Sequence, residues 1–415
     1  MKLYRIAFGI ALASGTLVFA SPALAQKPGA APAAATAAPQ RKFDISKQAR
    51  KEISELQTAV NAKDAANIPA KLAAAQAKAQ SADDKYVIAQ LQLKAAVDVN
   101  NEVAMGEALE AMTLSGAPEG ATAIIYNNLG KIRYNAKAYD KASAAFERAI
   151  QLDPKDTDAM ILLAEARNTQ GRTAEGVGFI QKAIAVETAA GKKPEESWYK
   201  RAVALAYNAN LPNSPAIARE WVTAYPSPKN WRDAIRIYQT TSKLEDSALL
   251  DSMRLAQATG GLSGENDYFR FTNTLVTKGF PGEAKAVLEQ GFAANSISKS
   301  KATFAQLYSL ATTKSQGDRA SLGAAATAAL AASDARRAMT TADAYYGYGD
   351  YSKAADLYRA ALGKSGVDKD LANLRLGMAL ARAGDKAGAT AALNAAGGAQ
   401  VEIARFWLAY LATRA

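Results

Sequence analysis

The amino-acid sequence predicts an all-α protein built from stacked helix hairpins. Three observations predict it. From about Phe43 onward, alanine-rich segments of helical period alternate with short breaks containing Gly, Pro, Asn or Asp. No run of alternating β-branched residues marks a strand. One pattern of small and aromatic residues also recurs at a period of about 34 residues, which is how repeat architectures announce themselves. So much helix without a long linker is either several domains or one extended stack, and the repetition favours the stack.

Residues 1–25 read as a secretory signal peptide. Lys2 and Arg5 precede an apolar run from Ile6 to Ala20, about 15 residues against the roughly 20 that span a membrane. Ala23-Leu24-Ala25 supplies a small-residue cleavage site before Gln26, so the expected location is periplasmic or secreted. Residues 26–42, which begin QKPGAAPAAATAAPQ, lack the aliphatic periodicity that buries a face and read as a disordered Ala/Pro-rich linker.

Residues 43–120 hold paired helices of weaker signature, such as IPAKLAAAQAKAQ and YVIAQLQLKAAVDVN. The clearest repetition lies in residues 121–190. In AIIYNNLGKIRYNAKAYDKASAAFERAIQLDP the marked positions are Tyr126, Leu129-Gly130, Ala142, Phe146, Ala149 and Pro154. Gly130 and Ala142 lack bulk, so two antiparallel helices can approach closely there, while Tyr126 and Phe146 fill the space on either side. Asp153 is biased out of the helical region by Pro154, and a proline inside the helix would cost roughly 3 kcal/mol, so the second helix ends at this point. The next unit follows in register with Leu163-Ala164, Gly171, Gly176, Ile180 and Ala183.

Residues 191–264 keep the helical period and the anchors Trp198, Trp221 and Trp231, with loops of irregular length. The pattern returns in 265–298 with Tyr268, Leu275, Gly279, Ala284, Leu288 and Gly291. Residues 299–334 read as a further repeat-like helical stretch. Two more copies fill 335–398, first with Tyr345, Gly349, Ala354, Tyr358 and Ala361, then with Leu376-Gly377, Gly384, Ala389, Leu393 and Ala396. In 399–415, Val401, Ala404, Leu408 and Leu411 share a stripe beside Trp407, and a capping helix is expected at this end of the stack.

These positions resemble the tetratricopeptide repeat, with Arg133 standing where that family usually has a tyrosine. The resemblance implies a right-handed superhelical α-solenoid whose first helices line a concave groove for peptides or protein segments. Carried over position by position, the groove would be lined by Asn127, Asn128, Lys131, Tyr134 and Asn135, then by Asp158, Leu162, Glu165 and Asn168. Later repeats would add Phe269, Arg270, Asn273, Asp343, Tyr346, Leu374, Arg375 and Met378. Asparagines there would bond an extended backbone, and Tyr134, Phe269 and Tyr346 would act as apolar anchors. One subset of the family clamps a carboxylate with fixed basic and polar residues. Asp158 and Leu162 stand where that subset needs donors, so this chain does not match it.

Composition narrows the chemistry. Among 415 residues there is no histidine and no cysteine, which removes Ser-His-Asp and Cys-His catalysis, thiol redox chemistry and the common zinc sites. Ser197-Trp198-Tyr199-Lys200 and Ser296-Ile297-Ser298-Lys299 match a serine-lysine pattern, but its companion K-T-G motif is missing. Asp153, Asp156 and Asp158 lack the glycine turn and terminal glutamate of a calcium loop and read as helix caps. Loss of residues 1–25 removes two of 50 basic residues and none of 39 acidic ones, which leaves a net charge of +9. Basic and acidic residues mostly alternate along helix faces, a solvated pattern without the clustered basic and aromatic residues of a nucleic-acid surface. The sequence therefore reads as a non-catalytic protein–protein interaction scaffold of the bacterial cell envelope, its partner another envelope protein or peptide segment. The alternative is a binder of cell-wall glycan or another anionic envelope polymer. No cofactor, metal, nucleic acid or membrane span is expected.

Overall fold

A computed structural model of the chain describes residues 41–414, so the expected leader and nearly all of the expected linker lie outside the described residues. Among these residues there are twenty α-helices and no sheet strand. None of the helices is long and apolar enough to cross a membrane. The chain divides into two compact units between Lys193 and Pro194.

Unit 1 consists of four antiparallel hairpins, each packed on the next: α1 (Arg50–Asn61) with α2 (Ile68–Lys78), α3 (Ala82–Asp98) with α4 (Glu102–Leu114), α5 (Ala123–Asn135) with α6 (Tyr139–Leu152), and α7 (Thr157–Thr169) with α8 (Thr173–Ala189). The turn inside each hairpin places one residue in the left-handed region: Lys63, Asn100, Lys137 and Gly171. Only Gly171 adopts that conformation without a Cβ penalty. Residues 41–46 form a strap over the start of α3. Arg41 reaches Asp83 and Glu119, and the Ser46 hydroxyl donates to Asp84 at 2.6 Å. Burial pushes the Asp84 carboxyl up, but bonds donated by the Ser46 hydroxyl and by the backbone of Gln80, Ser81 and Ser46 outweigh it and hold its pKa down at about 2.

Unit 2 contains α9 (Glu196–Asn208), α10 (Ser214–Ala224), α11 (Pro228–Thr241), α12 (Asp246–Ala258), α13 (Gly264–Lys278) and α14 (Pro281–Ala293). It continues with α15 (Ala302–Ala331), α16 (Ala335–Gly347), α17 (Tyr351–Leu362), α18 (Lys369–Ala383), α19 (Lys386–Asn394) and α20 (Val401–Ala412). Residues 299–334 are dominated by a single helix. Its 30 residues span about 45 Å, where its 13-residue neighbours α14 and α16 reach about 20 Å. Phe304 and Ala311 join the apolar core of α13 and α14. Further along α15, the carbonyls of Ser315, Leu322 and Leu330 accept from Tyr348, Tyr345 and Lys364. The helix is thus a splint along which the start of α14 meets the end of α16. The fit at that meeting is close, since a Cβ on Gly347 would lie 2.7 Å from the Glu283 Cβ.

One odd helix between hairpins has a consequence for every helix after it. Before α15 the second helices of the hairpins, α10, α12 and α14, face the interior of unit 2; after it the first helices, α16, α18 and α20, do. The C-terminal helix therefore does more than cap an end. It packs against α18 and α19 on one side and against α10 and α12 on another, with Phe406 5.6 Å from the Tyr238 ring and Trp407 fully buried.

Candidate functional site

The hairpin α5–α6 is built around the small residues that its sequence spacing singled out. A Cβ on Gly130 would lie 2.5 Å from a Phe146 ring carbon, and Ala142, Phe146 and Ala149 have no exposed surface. The next hairpin repeats the contact with the small residue on its second helix, where a Cβ on Gly176 would lie 2.7 Å from the Ala164 carbonyl oxygen. Asp153 is extended, α6 stops at Leu152, and the Asp156 carboxylate caps α7 by accepting from the Ala159 N–H at 2.8 Å. The aspartates thus serve as turn and cap, and among the described residues no carboxylate group is arranged to hold a metal.

Polar residues on α5 stitch it to α7. The Asn127 amide donates to Asp156 at 3.0 Å and to Asp158 at 3.3 Å, and Lys131 pairs with Asp158 at 2.6 Å. Asn127 and Asn128 are only 7 % and 6 % exposed, so both belong more to the helix–helix joint than to an open groove wall. The same is true of Leu162 on α7, which is buried. Lys131, Tyr134 and Asn135 remain half-exposed, and Tyr134 meets Tyr139 edge to face at 5.4 Å. On α7, Asp158 is exposed and Glu165 and Asn168 are half-exposed. Sequence reasoning missed Ile124. It is 60 % exposed, and it lies three, four and seven residues before Asn127, Asn128 and Lys131, on the same face of α5. The available signal was an isoleucine off the buried stripe of Ile125, Leu129 and Ile132.

In unit 2 the carried-over positions do not converge. Phe269, 42 % exposed, lies with Arg270 and Asn273 on the solvent side of α13. Asp343, Tyr346, Leu374, Arg375 and Met378 are all buried in the interior instead of lining a groove. Arg375 donates to Asp343 at 2.7 Å and to Asp251 at 3.3 Å. Arg254 forks onto Glu283 at 2.9 and 2.8 Å and lies 4.8 Å over the Tyr346 ring. Burial alone would depress both guanidinium pKa values, but the facing carboxylates overcome it and raise them. The physical reason for the correction is packing. The first helices α16 and α18 turn their expected groove face onto α12 and α14, which leaves no groove there.

Against known families, a tetratricopeptide repeat profile matches residues 123–156, which is hairpin α5–α6 with its closing turn. Hairpin α5–α6 is a tetratricopeptide repeat. Solved structures with some likeness to it include one from a functional characterization of Pseudomonas aeruginosa pilF, 16% identical, covering 63% of this chain and 97% of that one with a TM-score of 0.26. Another is Naa15/Naa10 bound to HypK-THB, 13% identical, covering 84% of this chain and 58% of that one with a TM-score of 0.32. No curated protein matches the chain. Tetratricopeptide repeats are the architecture of scaffolds that bind protein partners.

Proposed function

We propose that this protein is a non-catalytic interaction scaffold of the bacterial cell envelope that takes a protein or peptide segment on the α5–α7 face. The observation behind this reading is the exposed Ile124 side chain beside the half-exposed Lys131, Tyr134 and Asn135, on a floor already braced by the Lys131–Asp158 pair. An apolar anchor on a polar floor that needs no reordering is favourable for binding, because little conformational entropy is lost on contact. The envelope location is supported by Lys2, Arg5, the apolar run and Ala23-Leu24-Ala25.

The test is capture from cross-linked cell envelopes with the chain and with a variant carrying Ile124→Asp and Tyr134→Ala. A protein retained by the first and lost by the second is the expected outcome. Equal capture by both would remove the α5–α7 face from consideration. A second reading, contact with an anionic polymer, is favoured by one observation: the basic end of unit 2 described next.

A further inference from the structure

The charges of unit 2 are unevenly placed. In the interior Asp251, Glu283 and Asp343 face Arg254 and Arg375, so the carboxylates exceed the guanidiniums by one. At the meeting of α18, α19 and α20 the imbalance reverses. Arg382, in the last turn of α18, lies 4.9 Å over the Tyr351 ring and donates to its hydroxyl at 2.8 Å. Arg414, just beyond α20, lies 5.2 Å over the Tyr410 ring and bonds its hydroxyl. Lys386, at the start of α19, donates to the Arg414 carbonyl at 3.2 Å. Lys386 and Arg414 are thereby tied together, and Arg382 stands four residues before Lys386, across the turn from α18 to α19.

Among the described residues none of the three meets a carboxylate. Asp385, beside Lys386 in the chain, is turned to its own helix, where it accepts from the Gly388 N–H at 2.8 Å. Each guanidinium commits an N–H to one tyrosine hydroxyl, and a guanidinium has five. Two buried groups behind the tyrosines also lack acceptors: the Tyr346 hydroxyl, whose ring is 5.1 Å from that of Tyr351, and the Trp407 indole N–H, whose ring is 5.5 Å from that of Tyr410. This end of the unit therefore presents positive charge with no protein carboxylate against it, and guanidinium N–H groups beyond the one each arginine gives to its tyrosine. Fixed donors around a concentration of positive charge are what a carboxylate or phosphate group requires.

We propose that Arg382, Lys386 and Arg414 form an oxyanion site at the α18–α20 end of unit 2, which takes the phosphate or carboxylate group of an anionic ligand. The site is separate from the α5–α7 face, and either can exist without the other. The tyrosines pre-order the two arginines by stacking and hydrogen bonding, so less side-chain freedom is lost when the anion arrives.

The experiment titrates the full chain with inorganic phosphate, and in a second arm with acetate, at constant ionic strength held with sodium chloride and followed by calorimetry. Saturable binding of at least one anion is expected, with the affinity at least tenfold lower in the Arg382→Gln, Lys386→Gln double variant. The arm that saturates tells phosphate from carboxylate. Arg336→Gln with Arg337→Gln, an exposed basic pair on α16, serves as the control and should bind as wild type. A double variant with the circular dichroism of wild type and the same affinity would overturn the site. So would the absence of saturation in both arms, or an equal loss in the control.

Discussion

Gly130→Ala puts the helix-crossing argument to a quantitative test, because two opposing effects of known size act on one atom. Alanine is favoured over glycine in a helix interior by about 1 kcal/mol, so the substitution gains that much wherever the new methyl has room. At Gly130 it has none. The added Cβ would lie 2.5, 2.6 and 2.9 Å from three ring atoms of Phe146, whereas carbon atoms pack at about 3.5–4.0 Å. Phe146 is fully buried, so the ring can yield only by pushing its neighbours, and overpacking of this kind costs about 1–3 kcal/mol. Gly178 on α8 is the matched control, exposed and with nothing within 4 Å of its added Cβ. The same substitution there should stabilise by up to about 1 kcal/mol. The expected separation between the two variants is therefore about 1–3 kcal/mol, with Gly130→Ala the less stable. Urea unfolding followed by far-ultraviolet circular dichroism measures it. Trp198, Trp221, Trp231 and Trp407 all lie in unit 2, so tryptophan emission reports whether that unit is untouched. Equal stabilisation by both substitutions would refute the close crossing of α5 and α6.

Two further expectations concern charge. Arg375→Gln leaves Asp251 and Asp343 buried with one fewer cation and should destabilise unit 2 by about 3–5 kcal/mol; an unchanged tryptophan-emission midpoint in urea would show that the cluster is not a closed ionic network. In unit 1 the Arg41 hydrogen bonds hold Asp83 and Glu119 below their usual range, against burial, and Asp84 sits at about 2. Folded pKa values below the unfolded ones mean that this contribution is complete above about pH 4, where the unfolded carboxyls titrate, and is lost as pH falls toward 2. The stability difference between wild type and Asp84→Asn should accordingly be constant from pH 7 to 5 and shrink between about pH 4 and 2; a difference that stays constant to pH 2 would contradict the strap.

Much of this was legible along the chain because it is local. Helix α6 stops at Leu152 because Pro154 excludes further helix, and Gly130 with Phe146 gives away a close crossing by size alone. The hairpin of residues 123–156, and the kind of repeat it forms, could be read from seven residues. The groove was legible only in part. Ile124 is conspicuous only once the buried stripe beside it is known, and Asn127 looks like a groove residue until its amide is seen bonded to Asp156 and Asp158.

What the sequence by itself determined is the all-α class, the end of α6 and the small residues at the α5–α6 crossing, since these depend on backbone sterics and on neighbours a few residues away. What only the tertiary structure decided is which face of each helix meets the interior of its unit. That choice turned on α15. A thirty-residue helix has the same local periodicity whether it runs unbroken or folds into a hairpin, yet unbroken it shifts the alternation of inner and outer helices by one. Tyr346 and Arg375 are buried for that reason, because facing inward is set by the number of preceding reversals of the chain, a quantity that no local pattern around either residue contains.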